Sequence, residues 1–406
     1  MSCCAKLKSS STLLYSTALL LGVLAGITHI DGILVISEVV AEIFMRIFKC
    51  LSIPVICTVL ISTIANIDNT TAKKFTIQVV LYSIITTLLS AFVALILYMI
   101  VMNQHNNNEE VSATTNIINN TTTYSQHIIS SFPSHIHEPF IQHNVIGALI
   151  IALAFGFGIK ILEKNGQDST LKKVVNDIKE LLMIITRWII KILPIGVFAF
   201  TALAITKFNI STLNEGIVGY ISVVIGANLI HGFLILPMLL VFHKISPITM
   251  LKNSTLALST AFFSKSSSGT LPITMQVAES KLGISHTVTK FTLPLCTSIN
   301  MNGCAAFIFT TTIFVMESNG IHISFLEMAL WTVIATIAAI GNAGIPMGCF
   351  FLSFSFLSGM NLNISLLSII LPFYTILDMI ETALNVWSDI CITKIIDVKN
   401  RATHTG

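Results

Sequence analysis

Residues 378–389 read Asp-Met-Ile-Glu-Thr-Ala-Leu-Asn-Val-Trp-Ser-Asp and lie inside the last long apolar stretch of the chain. On a helix of about 100° per residue, Asp378, Glu381, Thr382, Asn385 and Asp389 fall at about 0°, −60°, +40°, −20° and +20°. All five polar side chains therefore share one face. Each acidic group near the centre of a bilayer costs at least ~2.5–3.5 kcal/mol, so three on one stripe need cations or hydrogen bonds around them.

The sequence supplies no nearby basic residue for this acidic stripe, because no lysine or arginine occurs between Lys290 and Lys394. Bound cations, protons or an ammonium group on a substrate are the remaining sources of compensation. A polar network that only holds helices together is the structural alternative. Three carboxyl groups exceed what helix packing requires, so the stripe predicts a binding site inside a membrane.

The composition of the whole chain agrees with a membrane location. Of 406 residues, 54% are hydrophobic and 10% are charged, whereas soluble domains carry about 25% charged residues. This balance excludes a water-soluble enzyme of this length. A net charge of +3 without a basic, aromatic-rich patch also argues against nucleic-acid binding. The eight cysteines form no CxxC pair and are expected to be small buried hydrophobic side chains.

Apolar runs that are long enough to cross a bilayer predict six spans, and a less regular apolar region follows at 255–393. Basic residues occur in alternate loops, and cytoplasmic loops carry an excess of lysine and arginine. We therefore expect both termini in the cytoplasm and the polar loop 103–143, which lacks basic residues, outside. The six runs are 12–30, 36–66, 76–102, 144–162, 180–206 and 215–243.

Two segments of the region 255–393 interrupt apolar sequence with small residues, polar residues and a proline. They read Lys265-Ser-Ser-Ser-Gly-Thr-Leu-Pro272 and Gly341-Asn-Ala-Gly-Ile-Pro346. Such sequence ends a continuous helix, and non-helical backbone is tolerated at membrane depth only where protein covers it or where it lines a cavity. Each segment is therefore a predicted hairpin tip. A polar interruption follows each tip, at Asn300 and at Asp378, as in transporters built from inverted repeats.

These motifs resemble the dicarboxylate/amino acid:cation symporters, a family that includes glutamate and neutral amino-acid transporters. The resemblance implies an all-α polytopic membrane protein with eight transmembrane helices, two re-entrant helical hairpins and inverted repeats. It also implies a homotrimer with an elevator-type transport unit. The matching residues are Phe44-Met-Arg46-Ile-Phe-Lys49-Cys-Leu-Ser-Ile-Pro54, Ser266-Ser-Ser-Gly-Thr-Leu-Pro272, Asn300-Met-x-Gly303, Gly344-Ile-Pro346 and Asp378-Met-x-x-Thr382-x-x-Asn385-x-x-x-Asp389.

The resemblance implies a division of the chain into a scaffold and a transport core. Residues 1–254 are mainly the scaffold and trimerisation helices TM1–TM6, of which TM3 and TM6 move with the transport unit. Residues 394–406 form a cytoplasmic tail of a multi-pass cell-membrane protein, which is an inner-membrane protein in a Gram-negative bacterium. The core, 255–393, consists of a first hairpin near 255–285, TM7 near 287–316, a second hairpin near 325–358 and TM8 near 364–393.

An amino-acid site is implied by the same resemblance. Asp378 is expected to accept the α-ammonium group of the substrate. Asn385, Ser267 and Ser268 are expected to hold its α-carboxylate. The side-chain pocket and the outer gate that closes over the substrate contain Cys304, Glu381, Thr382, Gly344 and Ile345.

Two departures from the family pattern bear on the substrate. Glu381 and Cys304 stand where acidic-substrate members have an arginine and a threonine. A second carboxylate beside Glu381 would cost several kcal/mol, which argues against glutamate, aspartate and C4-dicarboxylates. We expect a neutral polar amino acid, either because Lys265 reaches across the site and balances Glu381 or because a protonated Glu381 donates a hydrogen bond to the substrate. Glu381 could also serve as a proton carrier. A cationic amino acid is the alternative, with Glu381 as its counter-ion.

Sodium is the expected coupling ion, and the resemblance implies no organic cofactor. Asp389, together with the carbonyls around Asn300 and Asn385, resembles one sodium site. A third departure affects a further sodium site, where Asn302 replaces an aspartate although Thr86 and Thr87 are retained. We therefore expect fewer coupled sodium ions than in acidic-substrate members, or partial replacement of sodium by protons.

Three other functions stay open at this stage. An uncoupled ion channel would need a ring of like-charged pore residues, which the sequence lacks. A membrane enzyme would use the serines at 266–268 or the pair Asp378 and Glu381, but no Gly-x-Ser-x-Gly elbow accompanies them. A glutamate or C4-dicarboxylate symporter is the remaining alternative. Transport of an amino acid is the prediction.

Overall fold

The regular structure of the described chain is helical. The computed structural model describes Leu14 and residues 17–66, 73–106, 133–142, 145–165, 170–207, 210–342, 347–360 and 362–404. Within these residues, seven helices are long and apolar enough to cross a membrane. The prediction of an all-α polytopic membrane protein is confirmed. The eighth spanning helix and the re-entrant course of the hairpins stay predictions.

The first half of the chain forms long apolar helices. Helix α1 is shorter than the ~20 residues that a bilayer core requires, and the loop residues 107–132 lie outside the described part. The helices are α1 (Thr17–Thr28), α2 (Asp31–Ala65), α3 (Lys73–Asn106), α4 (Glu138–Gln142), α5 (Val145–Lys164), α6 (Thr170–Lys207) and α7 (Ile210–Ile230), which a π-helical turn, His231–Ile235, joins to α8 (Leu236–Phe242).

The second half contains shorter helices separated by tight breaks. Helices α9 and α10 pack on each other, while α13 and α14 both pack against α12. These two pairs occupy the sequence ranges of the predicted hairpins. The helices are α9 (Pro247–Ser264), α10 (Ser267–Ser280), α11 (His286–Ile299), α12 (Asn302–Ser318), α13 (Phe325–Gly341), α14 (Gly348–Gly359) and α15 (Ser365–His404).

The break between α9 and α10 lies within the predicted segment 265–272. Lys265 ends α9 in the left-handed conformation at φ 52°, and the Ser266 hydroxyl accepts a hydrogen bond from the Gly269 amide at 3.0 Å. This serine cap starts α10. Pro272 lies inside α10, so Lys265 and Ser266 make the turn.

The break at the predicted polar interruption in TM7 is confirmed. Helix α11 ends at Ile299, Asn300 and Met301 are not helical, and α12 begins at Asn302. The pair α11–α12 is the most deeply buried of the candidate spans. Non-helical backbone here is covered by protein on all sides, as the absence of water in a bilayer requires.

Helix α15 continues through residues that were expected to form a tail. The Lys394 ammonium donates to the Leu282 carbonyl at 2.9 Å, and Asp397 accepts from the Ser285 amide at 3.1 Å. Arg401 forms an ion pair with Asp397 at 3.0 Å and donates to the Gly283 carbonyl at 2.5 Å. These contacts tie the end of α15 to the loop after α10, which explains why the helix extends to His404.

The helices enclose two apolar clusters. One consists of α2, α3, α5, α6, α7 and α12–α14 with the part of α15 up to Leu377. The other consists of α8–α11 with the part of α15 from Leu384 onward. The acidic stripe begins at the junction of the two clusters. Helix α2 packs mainly against α5 and α6, whereas α3 packs against α7 and α12.

A buried hydrogen bond joins α3 to α12 and provides a stability test. The Tyr98 hydroxyl donates to Glu317 Oε2 at 2.6 Å. Tyr98→Phe removes this donor to a charged group, and we expect a loss of about 1.5–3 kcal/mol in the free energy of unfolding. Thermal unfolding of the purified protein measures this loss.

The matched control is Tyr374→Phe. The Tyr374 hydroxyl is buried without a hydrogen-bond partner among the described residues, so its removal is expected to be nearly neutral. Equal destabilisation by both substitutions would contradict a specific role for the bond between Tyr98 and Glu317.

Candidate functional site

The predicted polar stripe lies on the inner face of α15. Glu381, Thr382, Asn385 and Asp389 are buried, with Glu381 and Asp389 each 1% exposed, while Asp378 is half-buried. The helical period therefore placed these side chains correctly. Acidic groups inside the protein require specific partners, and the broken helix α11–α12 provides those of Asp389.

Asp389 is surrounded by hydrogen-bond donors. Asn300 Nδ2 donates to Asp389 Oδ1 at 2.8 Å, and the Thr297 hydroxyl donates to Asp389 Oδ2 at 3.3 Å. The Thr86 hydroxyl of α3 lies 3.1 Å from Asn300 Oδ1. Carboxylate, amide and hydroxyl oxygens are the ligands that hard cations take. The predicted sodium ligands Asn300 and Asp389 are thus in contact, and their chemistry suits the ion.

The side-chain amide of Asn385 joins α15 to the start of α12, while the carbonyls around Asn385 stay predicted sodium ligands. Asn385 Oδ1 accepts from the Gly303 amide at 2.9 Å, and its Nδ2 lies 3.7 Å from Cys304 Sγ. Asn385 therefore fixes the start of α12 against α15. Gly303 makes this approach feasible, because an added Cβ would lie 2.7 Å from Glu381 Cα and 2.9 Å from Asn228 Oδ1.

Asn302 is at the centre of a second polar network. The Thr87 hydroxyl donates to Asn302 Oδ1 at 2.8 Å. Asn302 Nδ2 lies 2.6 Å from the Ser388 hydroxyl and 3.2 Å from His231 Nε2. This amide orientation makes Nε2 an acceptor, so the imidazole is neutral with its proton on Nδ1. Neutral groups thus occupy the place of the predicted weakened sodium site.

The predicted side-chain pocket contains Glu381 beside two thiols. Cys304 Sγ, Cys349 Sγ and a Glu381 oxygen lie within 4.8 Å of one another. Neither carboxylate oxygen of Glu381 has a hydrogen-bond partner among the described residues. Asn342 Nδ2 lies 3.3 Å from Cys349 Sγ.

Five of the six described cysteines are buried, as expected from the sequence. Cys50 is exposed, so the expectation of burial is wrong for that residue. It lies on α2, and the apolar sequence around it did not show which face of the helix turns outward.

The first hairpin tip brings a cation to the start of the stripe. The charges of Lys265 and Asp378 interact. Ser267 is half-buried and Ser268 is exposed, and both lie in the first turn of α10. Among the described residues, no hydrogen bond joins either serine to Asn385 in this conformation. The prediction that these three residues hold one carboxylate therefore stays a prediction.

The remaining predicted site residues are Thr382, Gly344 and Ile345. The Thr382 hydroxyl donates to the Asp378 carbonyl at 2.7 Å, so it faces its own helix backbone. Gly344 and Ile345, predicted for the outer gate, lie outside the described residues. The flanking residues Met347 and Gly348 are described, and Met347 adopts the left-handed conformation at φ 57°.

Comparison with known proteins identifies the family. A model of the sodium:dicarboxylate symporter family matches residues 12–399. The chain belongs to this family. The predicted family is confirmed. The seven long apolar helices agree with the predicted membrane location.

The relatives within the symporter family are amino-acid transporters. Rat neutral amino acid transporter B(0) is 31% identical over 251 residues, which cover 61% of this chain and 45% of the relative. The putative sodium-dependent excitatory amino acid transporter glt-3 of Caenorhabditis elegans is 27% identical over 394 residues, covering 86% of this chain and 73% of the relative. The chain spans about half the length of the curated neutral amino-acid transporters that it matches.

Sequence reasoning missed three polar residues of this symporter's site, His231, Asn342 and Ser388. His231 had a detectable signal, because an ionisable residue within a predicted span is a functional candidate by default. Asn342 and Ser388 had none, since a single amide or hydroxyl in an apolar stretch is common. Their roles depend on which helices pack together.

The close approach of α12 and α15 at Gly303 yields a second prediction. Gly303→Ala would push a Cβ into the Glu381 backbone, and overpacking of this kind costs about 1–3 kcal/mol. We expect lower thermal stability and loss of uptake, measured on purified protein and in proteoliposomes. The control is Gly216→Ala, where the Cβ would meet Phe314 at an ordinary 3.8 Å. Wild-type uptake by Gly303→Ala would contradict this role for the glycine.

Proposed function

We propose that this symporter couples sodium influx to the uptake of a neutral polar amino acid and does not take acidic substrates. The observation that carries the proposal is Glu381, which faces the Cys304 and Cys349 thiols at the place where acidic-substrate members have an arginine. The name of the rat relative, a neutral amino acid transporter, agrees with this assignment.

The charges of the site support a substrate without a second carboxylate. Lys265 interacts with Asp378, and Asp378 and Glu381 are like charges that act on each other. A lysine that balances Asp378 leaves the charge of Glu381 to be neutralised by another group. An acidic substrate side chain would add a negative charge to this excess, at a cost of several kcal/mol.

The amino-acid backbone of the substrate has complementary groups nearby. Asp378 is the acceptor for the α-ammonium group, which takes over from Lys265 as the ion-pair partner. The first turn of α10 offers backbone N–H groups, and helix N-termini attract carboxylates. Asn385 adds an amide donor once it releases Gly303. This exchange of partners couples substrate binding to movement of the hairpin tip and α12.

The substrate side chain would meet Glu381, Cys304 and Cys349. An isolated buried carboxylate is so poorly solvated that it takes up a proton or a cationic partner. As a neutral acid, Glu381 donates a hydrogen bond to a hydroxyl or amide oxygen of the substrate. The thiols form small, weakly polar walls, which suits a short neutral side chain such as that of serine or threonine.

A cationic amino acid is the second candidate, and the unpartnered oxygens of Glu381 favour it. An ammonium or guanidinium group would supply both the missing hydrogen bonds and the missing charge. The two candidates differ in one respect. The neutral substrate needs a proton on Glu381, whereas the cationic substrate needs Glu381 to be ionised.

We further propose that the protein has the scaffold and the transport core of its family. Helices α2, α5 and α6 pack together, which suits a fixed scaffold, and α9–α15 enclose the site as a transport core. The contacts of α3 and α7 with α12 support their assignment to the moving unit. A trimer, eight spanning helices, two re-entrant hairpins and cytoplasmic termini complete the proposed arrangement.

Uptake into proteoliposomes under a sodium gradient tests the substrate assignment. Labelled serine and threonine should accumulate in the wild type, while glutamate should not. Glu381→Gln keeps a side chain that can donate a hydrogen bond, so neutral uptake should persist. If arginine or lysine is the substrate, the same substitution should lower affinity about 30-fold or more, from the ~2–5 kcal/mol of a buried charge pair. Glutamate accumulation would refute the proposal.

The neutral network around Asn302 predicts reduced sodium coupling. Asn302→Asp places a negative charge beside Thr87, His231 and Ser388, which a further sodium ion would neutralise. We expect the Hill coefficient for sodium-dependent uptake to rise, and to rise further when His231→Gln removes the competing proton acceptor. Asn319→Asp, which makes the same charge change at the far end of α12, should leave the coefficient unchanged. An unchanged coefficient in all variants would contradict the prediction.

A further inference from the structure

Two thiols and a carboxyl group meet in the interior of the molecule. Cys304 belongs to α12, Cys349 to α14 and Glu381 to α15. One ligand atom from each lies within 4.8 Å of the other two, and all three side chains are buried. Three separate helices therefore contribute one side chain each to this cluster. Packing of the helices alone does not require two thiols and a carboxyl group at this point.

Buried polar atoms without partners surround this cluster. Both Glu381 oxygens, Asn342 Oδ1 and the Tyr374 hydroxyl have no hydrogen-bond partner among the described residues. Glu381, Asn342 and Tyr374 are at most 3% exposed. Most buried polar atoms in proteins are satisfied, and a concentration of exceptions indicates a bound group.

We propose that Cys304, Cys349 and Glu381 bind one thiophilic divalent metal ion, Zn²⁺ or Cd²⁺, which fastens α14 to α12 and α15. Thiolates together with a carboxylate suit these ions, whereas sodium takes oxygen ligands only. The site is thus distinct in chemistry from the sodium site at Asp389. A water molecule supplies the fourth ligand.

The geometry requires only small movements. Zn–S bonds of ~2.3 Å in a tetrahedral site place two sulfurs about 3.8 Å apart, compared with the upper limit of 4.8 Å here. Asn342 Nδ2 lies 3.3 Å from Cys349 Sγ and 3.8 Å from Cys304 Sγ. An amide donor at the sulfurs stabilises metal-bound thiolates. Binding converts the thiols to thiolates, so their protons are released to solvent.

Gly348 maintains the position of the amide. An added Cβ at Gly348 would collide with the Asn342 side chain. Only glycine therefore lets Asn342 pack against the first turn of α14 beside both sulfurs. The packing of Asn342 thus explains why the residue before the proposed ligand Cys349 is glycine.

The first test measures metal binding directly on purified protein. Cys3, Cys4 and Cys50 are changed to serine, so that the buried Cys57, Cys296 and Cys391 are the remaining thiols outside the site. Cd²⁺ is then added while ultraviolet thiolate-to-cadmium charge transfer and proton release are recorded. We expect one Cd²⁺ per chain, with Cd X-ray absorption showing two sulfur ligands. A spectrum with oxygen and nitrogen ligands only would overturn the proposal without any site variant.

Variants of the site locate the metal. Cys304→Ser and Cys349→Ser should each remove one sulfur ligand and weaken Cd²⁺ binding by at least about tenfold, and Glu381→Gln should weaken it while keeping both sulfurs. Cys57→Ser is the matched control, because Cys57 is also buried but lies in α2 beside the Ala148 carbonyl. Equal binding by Cys304→Ser, Cys349→Ser and Cys57→Ser would overturn the site.

The functional consequence rests on the proposed function, whereas metal binding does not. A metal that fastens α14 over the side-chain pocket should inhibit uptake, and a chelator should restore it. Excess substrate should slow inhibition because it occupies the same pocket. If no amino acid is taken up, the spectroscopic result still decides the metal site. Uptake that Cd²⁺ leaves unchanged while it is bound with two sulfur ligands would overturn the fastening of α14.

Discussion

The burial of three carboxyl groups on one helix is the constraint on which the rest of this structure depends. An ionised group in a medium of low polarity needs a counter-charge and hydrogen bonds. A straight helix opposite α15 could not supply them, because its backbone donors are all used within the helix. The break at Asn300 and Met301 brings amide side chains and a free backbone N–H to the stripe, and Asp389 and Asn385 use both.

The two apolar clusters follow from the same constraint. Helix α15 contributes to one cluster as far as Leu377 and to the other from Leu384 onward. The polar segment that separates them is also where the first hairpin tip and α14 approach α15. Apolar packing therefore holds the helices on either side, while the contacts at the junction are ion pairs and hydrogen bonds that a substrate or an ion can replace. The proposed transport function needs replaceable polar contacts at the site, because rearranging a close-packed apolar core is costly.

The sequence was sufficient to predict features that depend on local periodicity. It was not sufficient to predict contacts that depend on which helices pack together. The 3.6-residue period placed Glu381, Asn385 and Asp389 on one buried face, and the polar run at Asn300 marked a true helix break. The sequence located the break within residues 265–272 but did not show that the cap at Ser266 makes the turn, since Pro272 is tolerated near the start of the helix. The meeting of Cys304 with Cys349, and of Asn302 with His231, depends on helix packing that no local pattern encodes.

The departures at positions 302 and 381 can be understood as changes that preserve local neutrality. The resemblance to the family implies that, in acidic-substrate members, sodium balances an aspartate at the first position and the substrate side chain balances an arginine at the second. Here Asn302 lies among neutral groups and requires no ion. Glu381 reverses the sign of the second position, so a proton, a cationic side chain or a metal ion must replace the acidic substrate. Because an uncompensated charge is more costly than any single contact, charge balance restricts what this site binds more strongly than the shape of the pocket does.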